Sequence, residues 1–171
     1  MKRLFFLTLI TGFICSAIGA SAQQKKERPS PADTVKATTK QGVDISIAYS
    51  QPGIKGRTLG KEIATYGQLW RTGANEQTAI TVSKDVKVEG NDLPAGKYSI
   101  WSIPGEKEWT IIINKNTTNW GTNHDEPSDL FKFTVKTQKA KKFAERFKFA
   151  IDKSGKVSFV WGDALVEFMV K

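Results

Sequence analysis

The sequence predicts an all-β protein: an antiparallel β-sandwich, or a β-barrel built from the same elements, of about ten short strands with one or two short helices. Three observations carry this expectation. Apolar and polar residues alternate at period two, as in Val43-Asp44-Ile45-Ser46-Ile47-Ala48-Tyr49, the spacing that places one face of a strand in a core. Turn-forming pairs such as Pro52-Gly53 and Pro104-Gly105 recur at short intervals. Trp101, Trp109, Trp161, Phe149, Phe159 and Phe168 all fall inside the strand-like runs, where large aromatics bury the most area.

The N-terminus is set aside before the fold is read. Lys2 and Arg3 precede an almost wholly apolar run, Leu4 to Ile18, and Ala20-Ser21-Ala22 supplies small residues for cleavage. This is the pattern of a secretory signal peptide over 1–22. The run is short of the roughly 20 residues a membrane span needs, so no stable span is expected after cleavage. The single cysteine, Cys15, lies inside that run. The exported chain would carry no disulfide, thiol nucleophile or cysteine metal ligand, which suits the periplasm or the outside of the cell. Removing 22 of 171 residues leaves 149, enough for one domain with a core, and removes two of nine net positive charges.

Residues 23–33 are polar, contain Pro29 and Pro31, and read as a disordered linker to a single domain over 34–171. Val35 to Thr39 is expected to pair with Val43 to Tyr49 across Lys40-Gln41-Gly42. Ile54 to Gly67 reads as an ordered loop with a short helix over Lys61 to Tyr66. Thr78 to Val82 and Val86 to Val88 are β-branched strands, with Gly90-Asn91-Asp92 as a turn beyond them. Lys97 to Ile103 and Trp109 to Ile113 form a hairpin around Pro104-Gly105. Asn114 to Asp129 is a polar loop. Leu130 to Val135, Phe147 to Ile151, Val157 to Trp161 and Ala164 to Val170 are further strands, Asp152 to Gly155 is a hairpin turn, and Lys139 to Arg146 is the second helical stretch.

The excess positive charge is mostly lysine, at Lys132, Lys136, Lys139, Lys141, Lys142, Lys148, Lys153 and Lys156. Lysines dispersed at strand spacing form a solvated outer face and discourage edge pairing. Nucleic-acid sites favour clustered arginines interleaved with exposed aromatics, so no nucleic-acid partner is expected. Anionic glycans or other anionic envelope components fit an exported basic protein better.

Trp70-Arg71-Thr72-Gly73-Ala74-Asn75-Glu76 concentrates an indole, a guanidinium, an amide and a carboxylate in seven residues. As a site, Arg71 would grip a carboxylate or phosphate, Trp70 would stack, and Asn75 and Glu76 would bind hydroxyls, with Arg57 and Trp120 nearby. As a structural corner, the same groups would satisfy one another and tie down the turn. For catalysis, Glu76 would need Asp125 or His124 as a second group. His124 is the one histidine, no Gly-x-Ser-x-Gly elbow is present, and zinc lacks ligands. Asn116, Asn119, Asn123, Asp125, Glu126 and Asp129 offer oxygen ligands for calcium, without the spacing of an EF-hand loop.

A wider set of pieces has a resemblance. Tyr49-Ser50-Gln51-Pro52, Gly56-Arg57, the 70–76 motif, Leu93-Pro94-Ala95-Gly96-Lys97-Tyr98-Ser99, Ile103-Pro104-Gly105, Trp109, Asn114-Lys115 and Trp120-Gly121 occur in this order. Together they resemble the exported bacterial family called domain of unknown function 2911, found mainly in Bacteroidetes, from about Pro29 to the end of the chain. The resemblance implies export and a single domain; it brings no activity and no catalytic residues. Three readings stay open: a non-catalytic binding protein, a carboxylate-dependent hydrolase, and a structural envelope protein. Arg71→Ala separates the first from the last. An open site would lose its ligand at an unchanged thermal midpoint, whereas a packing corner would lose the midpoint itself.

Overall fold

The computed structural model describes Arg28 to Lys171. The signal peptide expected over 1–22 and residues 23–27 of the expected linker lie outside the described residues. Within them the chain is almost wholly strand: β1 (Ala32–Thr38), β2 (Asp44–Ser50), β3 (Ala79–Val82), β4 (Val86–Val88), β5 (Asn91–Leu93), β6 (Gly96–Ile103), β7 (Glu108–Asn114), β8 (Asp129–Ile151) and β9 (Lys156–Met169), with a single 3-10 turn at Glu126–Ser128. Seven strands make one antiparallel sheet in the order β1-β2-β3-β6-β7-β8-β9, and β4-β5 makes a second, small one. The β1–β2 pairing, the β6–β7 hairpin and the β8–β9 turn all form where the alternation places them.

Strand β8 determines the shape. It runs for 23 residues, too long to stay flat against one neighbour in a twisted sheet. Its first part, Asp129 to Lys136, pairs with β7, and Thr137 to Ile151 pairs with β9. Near Arg146 it also meets the chain just beyond β2. Ile54 N–H donates to Glu145 O at 2.8 Å and Phe147 N–H to Pro52 O at 3.0 Å, with Gly53 opposite Arg146. The sheet therefore curls until its far side touches its near side. One residue pair further on, the Tyr49 hydroxyl stands where a backbone carbonyl would be: it accepts the Phe149 N–H at 3.1 Å and donates to Asp33 Oδ2 at 2.9 Å.

The curl encloses one core. Ile45, Ile47 and Tyr49 of β2, Ile80 and Val82 of β3, Trp109, Ile111 and Ile113 of β7, Phe147 and Phe149 of β8, and Val157, Phe159, Trp161, Val166 and Phe168 of β9 point into it. Phe147 sits at its centre, with ring centroids at 5.9 Å from Tyr49, 5.1 Å from Phe149, 5.4 Å from Phe159 and 5.2 Å from Trp70. Trp101 is buried on the opposite face of β6, under the polar loop that follows β7, and its ring lies 4.8 Å from that of His124.

Four sequence expectations change. Lys139 to Arg146 is strand, because pairing to β9 on one edge and to 52–54 on the other overrides the helix propensity of its Lys, Ala, Glu and Arg. Lys61 to Tyr66 is a set of turns: Ala64 takes φ +42°, which a right-handed helix does not accommodate, and Tyr66 N–H bonds back six residues to Gly60 O. The last two strand pairs merge into the long β8 and β9, giving nine strands, two of them long. The turn between β4 and β5 is Glu89-Gly90, both at positive φ, so Asn91 and Asp92 are already in β5. In addition, β1 begins at Ala32, inside the stretch read as linker.

Tyr49→Phe is expected to leave the Phe149 N–H without an acceptor and to cost about 1–3 kcal/mol in urea unfolding. Burial, ahead of any other cause, raises the Tyr49 phenol above its ordinary 10.0. A neutral phenol favoured by the fold adds stability that is present below pH 10 and lost as pH rises through the raised value. The native protein should therefore show an alkaline decline in stability that Tyr49→Phe lacks, measured as thermal midpoint against pH.

Candidate functional site

The 70–76 corner is built into the fold from both ends. Trp70 exchanges backbone hydrogen bonds with Ser102 at 2.7 and 2.8 Å. Its half-buried indole stacks on Trp161 at 5.2 Å and 11°, and meets Trp109 edge-on at 5.9 Å. Thr72 Oγ1 donates to Ser102 Oγ at 2.9 Å, and Thr78 Oγ1 donates to Thr72 O at 2.8 Å. The Asn75 amide donates to Ser30 O at 3.0 Å and to Ser50 Oγ at 3.3 Å. Glu76 Oε1 accepts from Arg28 Nη1 at 2.6 Å. Its own backbone N–H first, and Arg28 next, hold the Glu76 carboxyl below its ordinary 4.5. Asn75 and Glu76 thus fasten the segment entering β1, a role no local pattern announces.

Arg71 is half-buried, and its Nε is buried without a partner among the described residues. Gly121 packs against it: a Cβ there would lie 1.9 Å from Asn75 O and 3.0 Å from Arg71 Cδ. The structure therefore brings Gly121 against Arg71 and Asn75. Trp120 is 59% exposed.

The polar loop is occupied by its own turn chemistry. His124 Nε2 lies 2.9 Å from Asp129 Oδ1, which also accepts the Asn114 amide at 2.6 Å. Asp125 Oδ2 accepts from Ser128 Oγ at 2.6 Å and from Asn116 Nδ2 at 3.2 Å. These two bonds, the serine's first, hold the Asp125 carboxyl low. No serine hydroxyl reaches His124 among the described residues. The oxygens of Asn116, Asp125 and Asp129 that calcium would use are hydrogen-bond acceptors within the loop, and no group of three His, Cys, Asp or Glu side chains converges among the described residues.

Arg57 lies in a different place. It lines a cleft of about 640 Å³ together with Tyr66, Glu106, Lys139, Phe143 and Asp163, floored by Ile54 and Gly162. No residue of the 70–76 corner lines it. Irregular strand pairing makes this cleft. Lys139 faces Ala164 while Ala144 faces Gly162, so β8 spends five residues where β9 spends two. The surplus bulges outward, as bulges do beside binding sites, and carries Phe143 to 58% exposure. Gly162 answers it with φ +58°, and a Cβ there would meet Ile54 Cδ1 at 3.3 Å and Phe143 Cε2 at 3.8 Å, filling the floor. Tyr66 is 40% exposed on the other wall; burial first, then Glu106, raises its phenol above the usual value.

Arg57 uses Nε and Nη2 on Ile54 O and Gly53 O at 3.1 and 2.7 Å. Three guanidinium N–H groups remain, and Arg57, Lys139, Glu106 and Asp163 have no ion-pair partner among the described residues. The cleft therefore holds two aromatic rings, two cations and two carboxylates, with the charges balanced. Of these residues the sequence singled out Arg57 alone. The available signal was the break in alternation at Ala140-Lys141-Lys142-Phe143, which a helical reading absorbed.

Two outcomes follow for the corner. Gly121→Ala should lower the thermal midpoint by several degrees, because its Cβ would meet backbone rather than a movable side chain. As pH falls below 4.5, through the lowered Glu76 value, the stability this carboxylate adds is lost. Amide exchange at residues 28–31 should then accelerate in the native protein, and Glu76→Gln should show the fast exchange already at neutral pH.

No curated protein and no solved structure matches the chain. The model of one family does match, over residues 30–170, which takes in every strand described above. The chain belongs to that family, described as a protein of unknown function, DUF2911.

Proposed function

We propose that the protein is an exported, non-catalytic carbohydrate-binding module of the periplasm or cell exterior, and that its binding site is the cleft at the β8 bulge. The observation that carries this reading is Phe143, an aromatic ring 58% exposed at the apex of a bulge that forms the wall of a cleft. Large apolar rings held outward cost solvation and mark contact sites when they gather. Sugars present an apolar C–H face for a ring and a rim of hydroxyls that both donate and accept. Phe143 and Tyr66 offer the rings, Arg57 and Lys139 the donors, and Glu106 and Asp163 the acceptors. Apolar walls with a few convergent polar groups are the usual make-up of small-molecule sites.

The hydrolase reading draws less support. Glu76 and Asp125 are both held ionised by hydrogen bonds, the opposite of a raised general acid, and His124 is spent on Asp129. The 70–76 corner serves this proposal as scaffold.

Phe143→Ala is expected to abolish binding of oligosaccharides on a glycan array. Because its ring is mostly exposed, the thermal stability should move by no more than about 0.5 kcal/mol. An array on which the native protein binds no glycan would overturn the proposal.

A further inference from the structure

Phe143 borders two depressions. Besides the charge-balanced cleft, a second groove of about 480 Å³ runs along its other side, lined by Lys142, Phe143, Ala144, Glu145, Arg146, Lys148 and Val160. Its charge is positive on balance, with three cations, Lys142, Arg146 and Lys148, against one carboxylate. The one carboxylate, Glu145, is committed, with Oε1 accepting the Lys55 N–H at 2.8 Å. Arg146 Nη1 is committed to Pro29 O and Gln51 O at 3.2 and 3.3 Å. Lys142 and Lys148 remain, and neither has an ion-pair partner among the described residues. The same irregular pairing makes both hollows, since β8 slips against β9 on either side of Ala144.

Resting on the carbohydrate reading of the larger cleft, we infer that the ligand is an acidic glycan. An uncharged sugar unit stacks on Phe143 and Tyr66 in the balanced cleft. The adjoining unit crosses the Phe143 ridge and presents a carboxylate, sulfate or phosphate group to Lys142 and Lys148. Neutral hydroxyl recognition on one side and cation recognition on the other would let one chain read two chemistries in sequence. The charge asymmetry sets the direction: cations outnumber carboxylates only in the second groove, whereas Glu106 and Asp163 balance Arg57 and Lys139 in the first.

The test uses an array carrying neutral, uronate, sulfated and phosphorylated oligosaccharides. It is followed by titration calorimetry with a uronate-containing hexasaccharide, its carboxyl-reduced counterpart, inorganic phosphate and phosphatidylglycerol vesicles. Acidic chains should bind about two- to thirtyfold tighter than their reduced counterparts, the range two exposed ion pairs supply. The preference should fade at roughly 1 M salt, where the screening length is about 3 Å. Lys142→Ala/Lys148→Ala should erase the preference and leave affinity for the neutral chain unchanged. Equal binding of acidic and reduced chains would overturn this inference and leave the carbohydrate reading standing. Binding of neither would overturn both. Binding to the vesicles without binding to any glycan would replace the glycan by a lipid headgroup, and equal capture of free phosphate would show that the lysines hold an anion with no sugar attached.

Discussion

The structure depends on a closure made by very few hydrogen bonds. Around Arg146, the edge of β8 that faces away from β9 bonds to the chain just past β2 through two backbone contacts, and the Tyr49 hydroxyl takes the place of the next one. A curled sheet that stopped short of this contact would leave the N–H groups of Phe147 and Phe149 inside, unpaired, beside a wholly apolar core. An unsatisfied buried N–H is costly enough that the closure and the core form together. The side chains on either side of the seam belong to one aromatic group, Tyr49, Phe147 and Phe149, packed edge to face.

The bulge follows from the same constraint. Strand β8 has two edges and must use both, one toward β9 and the other toward 52–54. It cannot keep a single register with β9 while it turns to meet the opposite wall, so residues accumulate between Lys139 and Lys148. Those surplus residues lie outside regular pairing and are free to carry side chains for something other than the core. Closure of the scaffold and exposure of Phe143 are thus two results of one geometric conflict.

What could be read from the sequence sorts along the same line. Strand β2, the β6–β7 hairpin and the Asp152 to Gly155 turn were legible because alternation and turn chemistry are local. Lys139 to Arg146 was not, because what keeps it extended is Pro52 to Ile54, some ninety residues earlier. The stretch Trp70 to Glu76 was legible as organised but not as to what it organises: its partners Ser30, Ser50 and Ser102 carry no signal of their own. Residue type alone groups Arg57 with that corner, while the turns of 54–66 put it at the bulge. Trp101 was expected among core aromatics, and it is buried, though beneath the loop of His124 rather than in the main core.

The Trp70–Trp161 stack has a consequence of another kind. Two indoles held nearly parallel at 5.2 Å are close enough to couple their ultraviolet excitations, so their absorption and emission respond to whether the stack is intact. One partner belongs to the irregular corner and the other to the strand that ends the sheet. The molecule therefore carries its own optical gauge of whether that corner is seated, one that needs no dye, label or ligand.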